Sequence, residues 1–346
     1  MKKLLAVLLT LTMVAGAAVG CGSKSEEPAK SEPAQNEDTS AQAPADADTS
    51  APAADGEEPY IAMVALGFSH QFWQAVKSGA DQAAADLGVR ITFEGPEQET
   101  MVDKQVDMLK TALGNNPAAV CMAAIDNEAV AGILQEAKGK GIKVVGFDAG
   151  VGEAESEAKC STDSLAAGAL AAEHAAELLG GKGKIGIVGH SQTVVDAVER
   201  VVGFKDKIAA DYPDIEIVDE QYGEGDHLKS AEVAKSMMQA NPDIQLIYTS
   251  NEGACVGAYN GLKEANKLKD VKLVGFDSSA AMKEAIRSGE IAGAITQDPV
   301  GMGYKTIETA VKLMNGESVE SFIDTGCYWY DASNMDDPKI APLLYD

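Results

Sequence analysis

Two five-residue runs in this chain end in the same carboxylate. Val144–Val145–Gly146–Phe147–Asp148 and Leu273–Val274–Gly275–Phe276–Asp277 repeat one pattern about 130 residues apart. An apolar run closing on Asp is a strand delivering a hydrogen-bond acceptor to its carboxyl end, and two copies suggest two similar units that each do so. The alternative for each Asp is a cap on the turn or helix that follows. Other constellations carry less chemistry. Gly180–Gly181–Lys182–Gly183–Lys184 lacks the spacing of a phosphate-cradling loop, and no strand is followed by the glycine fingerprint of a dinucleotide site. His70, His174, His190 and His227 show no metal-ligand spacing, and the Gly189–His190–Ser191 step is read as a simple loop, not a nucleophile elbow. No cofactor, metal or bond-making chemistry is expected. Cys121, Cys160, Cys255 and Cys327 fall on strand or helix patterns and read as small buried residues, with a Cys160–Cys327 disulfide conceivable.

The elements that must position those carboxylates are legible. Apolar runs at 60–66, 89–95, 119–125, 142–148, 184–190, 215–221, 244–250, 271–277 and 291–297 alternate with amphipathic stretches such as 72–88, 100–115, 128–141 and 163–181. Strand, helix and strand repeated in this way predict an α/β fold of parallel sheets with helices on both faces. The roughly 290 residues after position 58 exceed the size at which one core stops growing, so two lobes are expected.

The N-terminus predicts where the chain works. Lys2 and Lys3 precede an apolar run, Leu4 to Val14, that is too short to span a bilayer, and small residues lead to Cys21. That layout is an export signal (1–20), and a Cys at the cut resembles the lipid-acceptor Cys of bacterial lipoproteins, although Ala18 stands where Leu is usual. Cleavage near Ala17 with release of a soluble product is the alternative. Residues 21–58 then form the acylated Cys21 and a tether. Between 24 and 58 there are ten Asp/Glu against Lys24 and Lys30 and no aromatic residue, too little apolar surface to offset the entropy of ordering. With a total net charge of −26, nucleic acid and anionic lipid surfaces are poor partners.

Four blocks, in order, resemble the ribose-binding-like, type I solute-binding proteins of sugar ABC transporters. They are IAMVALGFSHQFWQAVKSGADQAAADLG, GGKGKIGIVGHSQTVVDAVERVVGFKDKI, QANPDIQLIYTSNEGACVGAYNGLKEAN and VKLVGFDSSAAMKEAIRSGEIAGAITQDPVGMG. The resemblance implies the type I periplasmic-binding-protein fold: two similar lobes, each a doubly wound parallel sheet, joined by a three-strand hinge. It places crossings near Thr162, Gln297 and Asp324, giving an N-terminal lobe of 59–162 with 298–324 and a C-terminal lobe of 163–297 with 325–346. It implies Phe72 and Trp73 as aromatics that stack on a sugar ring, whose C–H faces suit electron-rich rings. It implies His70 as a polar contact, Asp148 and Asp277 as acceptors from vicinal hydroxyls, Arg200 as a forked donor, Asn251 and Gln297 as amide partners, and Thr162 as a weaker candidate.

Where the family carries Arg after its first Asp, this chain has Ala149. Ala123 and Gly225 likewise replace larger side chains. A cleft wider and poorer in donors than a ribose site is expected, suited to a hexose, a modified sugar or a longer polyol. The resemblance implies a monomeric, lipid-anchored binding protein that hands a sugar or polyol to an ABC permease. The alternative within the same fold is a receptor that senses such a ligand, and an enzyme lining the cleft is the class-level rival.

Overall fold

A computed structural model describes residues 58–346, so the expected export signal, Cys21 and the tether lie outside the described residues, apart from Glu58. The chain runs β1 (Tyr60–Val64), α1 (Gln71–Leu87), β2 (Arg90–Glu94), α2 (Val102–Gly114), β3 (Ala119–Met122), α3 (Asn127–Gly139), β4 (Lys143–Phe147) and β5 (Ala158–Ser161). A second series follows: α4 (Ser164–Leu179), β6 (Gly183–Gly189), α5 (Val195–Asp211), β7 (Ile215–Tyr222), α6 (His227–Ala240), β8 (Leu246–Thr249), α7 (Glu252–Glu264), β9 (Lys272–Phe276), α8 (Ala280–Arg287) and β10 (Gly293–Gln297). The chain closes with α9 (Pro299–Met314), β11 (Phe322–Asp324) and β12 (Cys327–Tyr330).

Two six-stranded sheets result, ordered β11-β5-β4-β3-β1-β2 and β12-β10-β9-β8-β6-β7. The inner strands β1, β3, β4, β6, β8, β9 and β10 are buried on both faces, which is why each reads as a nearly unbroken apolar run. In the first sheet Ile61, Met63, Cys121, Val145 and Phe147 face α1 and α9, while Ala62, Val64, Val120, Met122 and Val144 face α2 and α3. In the second, Ile185, Ile187, Leu246, Tyr248 and Phe276 face α4 and α5, and Val188, Ile247 and Leu273 face α6 and α7. Each large side chain so buried contributes about 1.5–3 kcal/mol.

The chain passes between the sheets after β5, after β10 and between β11 and β12. At the first two passages an Asp caps the helix beyond: Asp163 accepts from Ala166 N, and Asp298 accepts from Gly301 N ahead of Pro299. The third is a two-residue step, Thr325–Gly326, with no helix to reverse direction. β12 therefore enters its sheet antiparallel to β10, a departure from the wholly parallel sheets that the alternation predicted. The conceivable disulfide is not formed. Cys160 pairs with Ile323 in the first sheet and Cys327 with Gln297 in the second, and all four described cysteines are free thiols.

Helices α4 and α5 pack back to back through Gly168 and Gly203. A β-carbon on Gly168 would lie 2.2 Å from the Arg200 carbonyl oxygen, and one on Gly203 would lie 2.1 Å from that of Leu165. That contact fixes the helix carrying Arg200. The C-terminal segment lies across the passages: Tyr345 is buried against Phe72, its hydroxyl accepts from Ser278 N, and Tyr330 donates to the Asp277 carbonyl.

Candidate ligand-binding cleft

The carboxyl ends of strands from both sheets face one another across a cavity of about 20 Å³. That is room for about one water molecule, so anything larger enters only as the two sides part. The large surface depression lined by Gln245, Lys272 and Ile291 lies at the amino ends of β8, β9 and β10, away from where sheets of this kind bind ligands.

Asp148 and Asp277 follow β4 and β9 at φ 53° and 75°, the left-handed region that residues with a β-carbon seldom adopt. The sequence repeat is thus also a repeat of an uncommon backbone conformation, the kind that concentrates at functional sites. The Asp277 carboxylate accepts from Glu252 N at 3.0 Å and from Gln297 Nε2 at 2.7 Å. Asp148 has the Arg200 guanidinium at 3.8 Å. Burial, with Asp196 adding to it and Arg200 opposing it, pushes the Asp148 carboxyl up to about 8. Burial likewise raises Asp277, against the pull of Arg200 and Gln297.

Arg200 projects from α5 into the centre. It pairs with Asp196 at 2.9 Å, donates to the Ser250 carbonyl at 3.1 Å and lies 4.1 Å over the Phe276 ring. Those carboxylates hold it firmly protonated despite its burial. Asn251 uses its side-chain oxygen to cap α7 at Ala254 N, which fixes the amide at the cleft wall.

On the facing lobe, His70 precedes α1 and spans the gap. One ring nitrogen lies 3.1 Å from the Gly225 carbonyl and the other 3.1 Å from Glu99. Burial alone would lower its pKa, but the charge and hydrogen bond of Glu99 outweigh that and raise it to about 9. Glu99, similarly buried, is drawn down to about 2 by His70. Both His70 nitrogens therefore donate at neutral pH. Trp73 donates to the same Glu99 oxygen at 2.9 Å and meets Phe72 edge to face, with centroids 4.9 Å apart. Both aromatics line the cavity and also belong to the core of their lobe.

The cleft thus gathers His70, Phe72, Trp73, Asp148, Arg200, Asn251, Asp277 and Gln297. Thr162 is not among them. It ties the first passage to the third by donating to the Gly326 carbonyl at 3.3 Å. The sequence reading missed Glu99, His190 and Asp196, which also line the cavity. It also missed Glu252, whose carboxylate accepts from the amides of Gln71 and Phe72 across the gap. Asp196 had a usable signal, one helical turn before Arg200 on the same face. His190 is a correction to the reading of that residue as plain loop: its ring nitrogen bonds Ser250 Oγ at 2.9 Å, and burial lowers its pKa to about 4, keeping it neutral. The cleft therefore holds two imidazoles, His70 and His190.

The expected extra room is a further correction. Ala123 and Ala149 are buried in the first lobe's core. A β-carbon on Gly225 would lie 3.1 Å from Glu99 and 3.5 Å from His70, which fill the space that a side chain there would take. Three buried polar atoms at the cavity have no partner: Asp196 Oδ1, Arg200 Nε and Gln297 Oε1. Two acceptors and a donor left unsatisfied at a shared cavity are what a polar ligand completes. Among the described residues no His, Cys, Asp and Glu cluster is arranged to hold a metal ion.

Residues 61–318 match the periplasmic binding protein domain. The D-ribose/D-allose-binding protein of Pseudomonas aeruginosa is 26% identical over 272 residues, which cover 76% of this chain and 85% of that protein. A carbohydrate transporter solute-binding protein from Agrobacterium radiobacter, solved with D-arabinose, superposes with a TM-score of 0.80 at 30% identity, covering 83% of this chain and 99% of that one. An ABC transporter solute-binding protein from Agrobacterium vitis, solved with D-fucose, gives 0.79 at 30% identity, covering 83% and 100%.

Proposed function

The chain belongs to the periplasmic binding protein domain family, and on that premise we propose that it captures a monosaccharide or related polyol between its two lobes and delivers it to an ABC transporter permease. The family's place is outside the cytoplasm, and the relatives are sugar-binding proteins of transport systems, not enzymes. The observation that carries the proposal is the convergence of Asp148 from one lobe with Arg200, Asp277 and Gln297 from the other on one small cavity beside Phe72 and Trp73. Carboxylates and amides satisfy hydroxyl donors, a guanidinium satisfies oxygens, and the rings cover the apolar face of a sugar. Residues 59–162 with 298–324 form one jaw, and residues 163–297 with 325–346 form the other. The ligand draws the jaws together because it touches both, which shifts the population toward the form that the permease accepts. A lipid on Cys21 and the acidic tether hold this monomeric domain at the membrane surface. A thermal-shift screen against pentoses, hexoses and polyols tests the reading. A ligand at 100 times its Kd adds about 2.7 kcal/mol of stability, a readily measured rise in Tm, and a flat response across the whole panel would overturn it.

A further inference from the structure

We propose, building on the sugar-binding reading above, that the cleft takes a monosaccharide bearing a protonated amino group, seated against Asp148, in preference to the neutral sugar of the same shape. Four carboxylates line the cavity: Glu99, Asp148, Asp196 and Asp277. Two cations answer them. His70 is committed to Glu99 at 3.1 Å and Arg200 to Asp196 at 2.9 Å. His190 brings no charge, because burial holds its ring neutral. Asp148 is left with Arg200 at 3.8 Å as a shared partner, and Asp277 has hydrogen bonds from neutral groups only. The residue after Asp148 is Ala149, so no second guanidinium stands at that strand end.

A buried carboxylate without its own cation is costly, and hydroxyl groups donate hydrogen bonds without supplying charge. An ammonium supplies both, with three donors on one atom. The unpartnered acceptors agree. Asp196 Oδ1 and Gln297 Oε1 belong to side chains more than nine-tenths buried that line the same cavity, and neither has a donor. Burial, and after it the neighbouring Asp196, raise the Asp148 carboxyl to about 8, so in the free protein at pH 7 it largely holds a proton, which it releases to solvent when an ammonium pairs with it. A sugar amine, with a pKa of about 8 by analogy with an α-amino group, is largely protonated at pH 7.

Calorimetric titration at pH 7 with D-glucosamine, D-galactosamine, their parents D-glucose and D-galactose, and the two N-acetyl derivatives tests this. At least one amine is expected to bind tenfold or more tightly than both its parent and its N-acetyl form. In Asp148→Asn, checked for folding by circular dichroism, that ratio is expected to fall below about threefold. The wild-type ratio stands as the test even if the variant misfolds. A parent sugar binding as tightly as its amine overturns the charge inference and leaves sugar binding intact. Absence of binding by all six overturns the charge inference, and the neutral-sugar screen above then decides the broader reading separately.

Discussion

Asp148 occupies a left-handed backbone position, lacks a cation of its own and is buried, a combination that serves a ligand better than it serves the fold. Its carboxyl is raised from 3.8 to about 8, so the folded protein binds the proton more tightly than the unfolded chain, and stability falls as pH rises between those values. Asp148→Asn is therefore expected to melt higher than wild type at pH 8, with the gap closing toward pH 4; a lower melt at pH 8 would contradict this. The His70–Glu99 pair has the opposite character. The His70 contribution is complete below its ordinary 6.5 and is lost as pH rises through about 9, while the Glu99 contribution is complete above 4.5 and is lost as pH falls through about 2. Glu99→Gln should thus cost most between pH 4.5 and 6.5, about 3–5 kcal/mol for breaking a buried pair, with the difference from wild type narrowing on either side. Thermal melts across pH measure both. Of the cleft residues, the two Asp were legible because a repeated strand pattern ended on each. Glu99 was not, because it lies five residues past β2 in a loop, where no periodicity marks which side chain turns inward. His190 was misjudged because its local sequence carries no motif; what commits it is Ser250, sixty residues away.

At the scale of elements, nine of the twelve described strands were visible: seven are buried on both faces and write continuous apolar runs, while β2 and β7, at sheet edges, are half-buried and write less complete ones. The three that were not, β5, β11 and β12, are three or four residues long and sit at or beside sheet edges. Their pairing comes from the passages between lobes and not from a local pattern, and Phe322 and Tyr328 on them are exposed. The reversed direction of β12 follows from the length of a connection, which residue types do not encode. The helix contact behind Arg200 offers a test at this scale. Gly203→Ala forces a β-carbon toward the Leu165 carbonyl, so α5 must move away from α4 and take Arg200 with it. Denaturant unfolding should show a loss of about 1–3 kcal/mol, the usual cost of overpacking, together with weakened sugar binding. Wild-type affinity in a destabilised Gly203→Ala would show that Arg200 does not depend on that contact.

Across the whole molecule, the lobes meet through His70 on the Gly225 carbonyl, Glu252 on the amides opening α1, and Gln71 on Ala280 N. Apolar contacts join them as well, Tyr345 against Phe72 and Val194 and Ala197 against the first lobe's core. The resemblance behind the two-lobe expectation was carried by blocks spread along the chain, and what it left out was the cleft's added charge, which this chain builds from its own residues. The anchor is tested independently of the cleft: mass spectrometry of membrane-extracted protein should find an acylated peptide beginning at Cys21, and Cys21→Ala should release the domain. A mature end at Ala18 or Val19 without lipid would exclude it. The central claim is that a sugar lies between Asp148, Arg200 and Asp277, and calorimetry tests it most directly. The sugar that most raises the melting temperature should bind wild type with one-to-one stoichiometry. Its affinity should fall by about 2–5 kcal/mol, roughly 30- to 5,000-fold, in each of Arg200→Ala and Asp277→Ala. Wild-type affinity in both folded variants would place the ligand elsewhere and contradict the account.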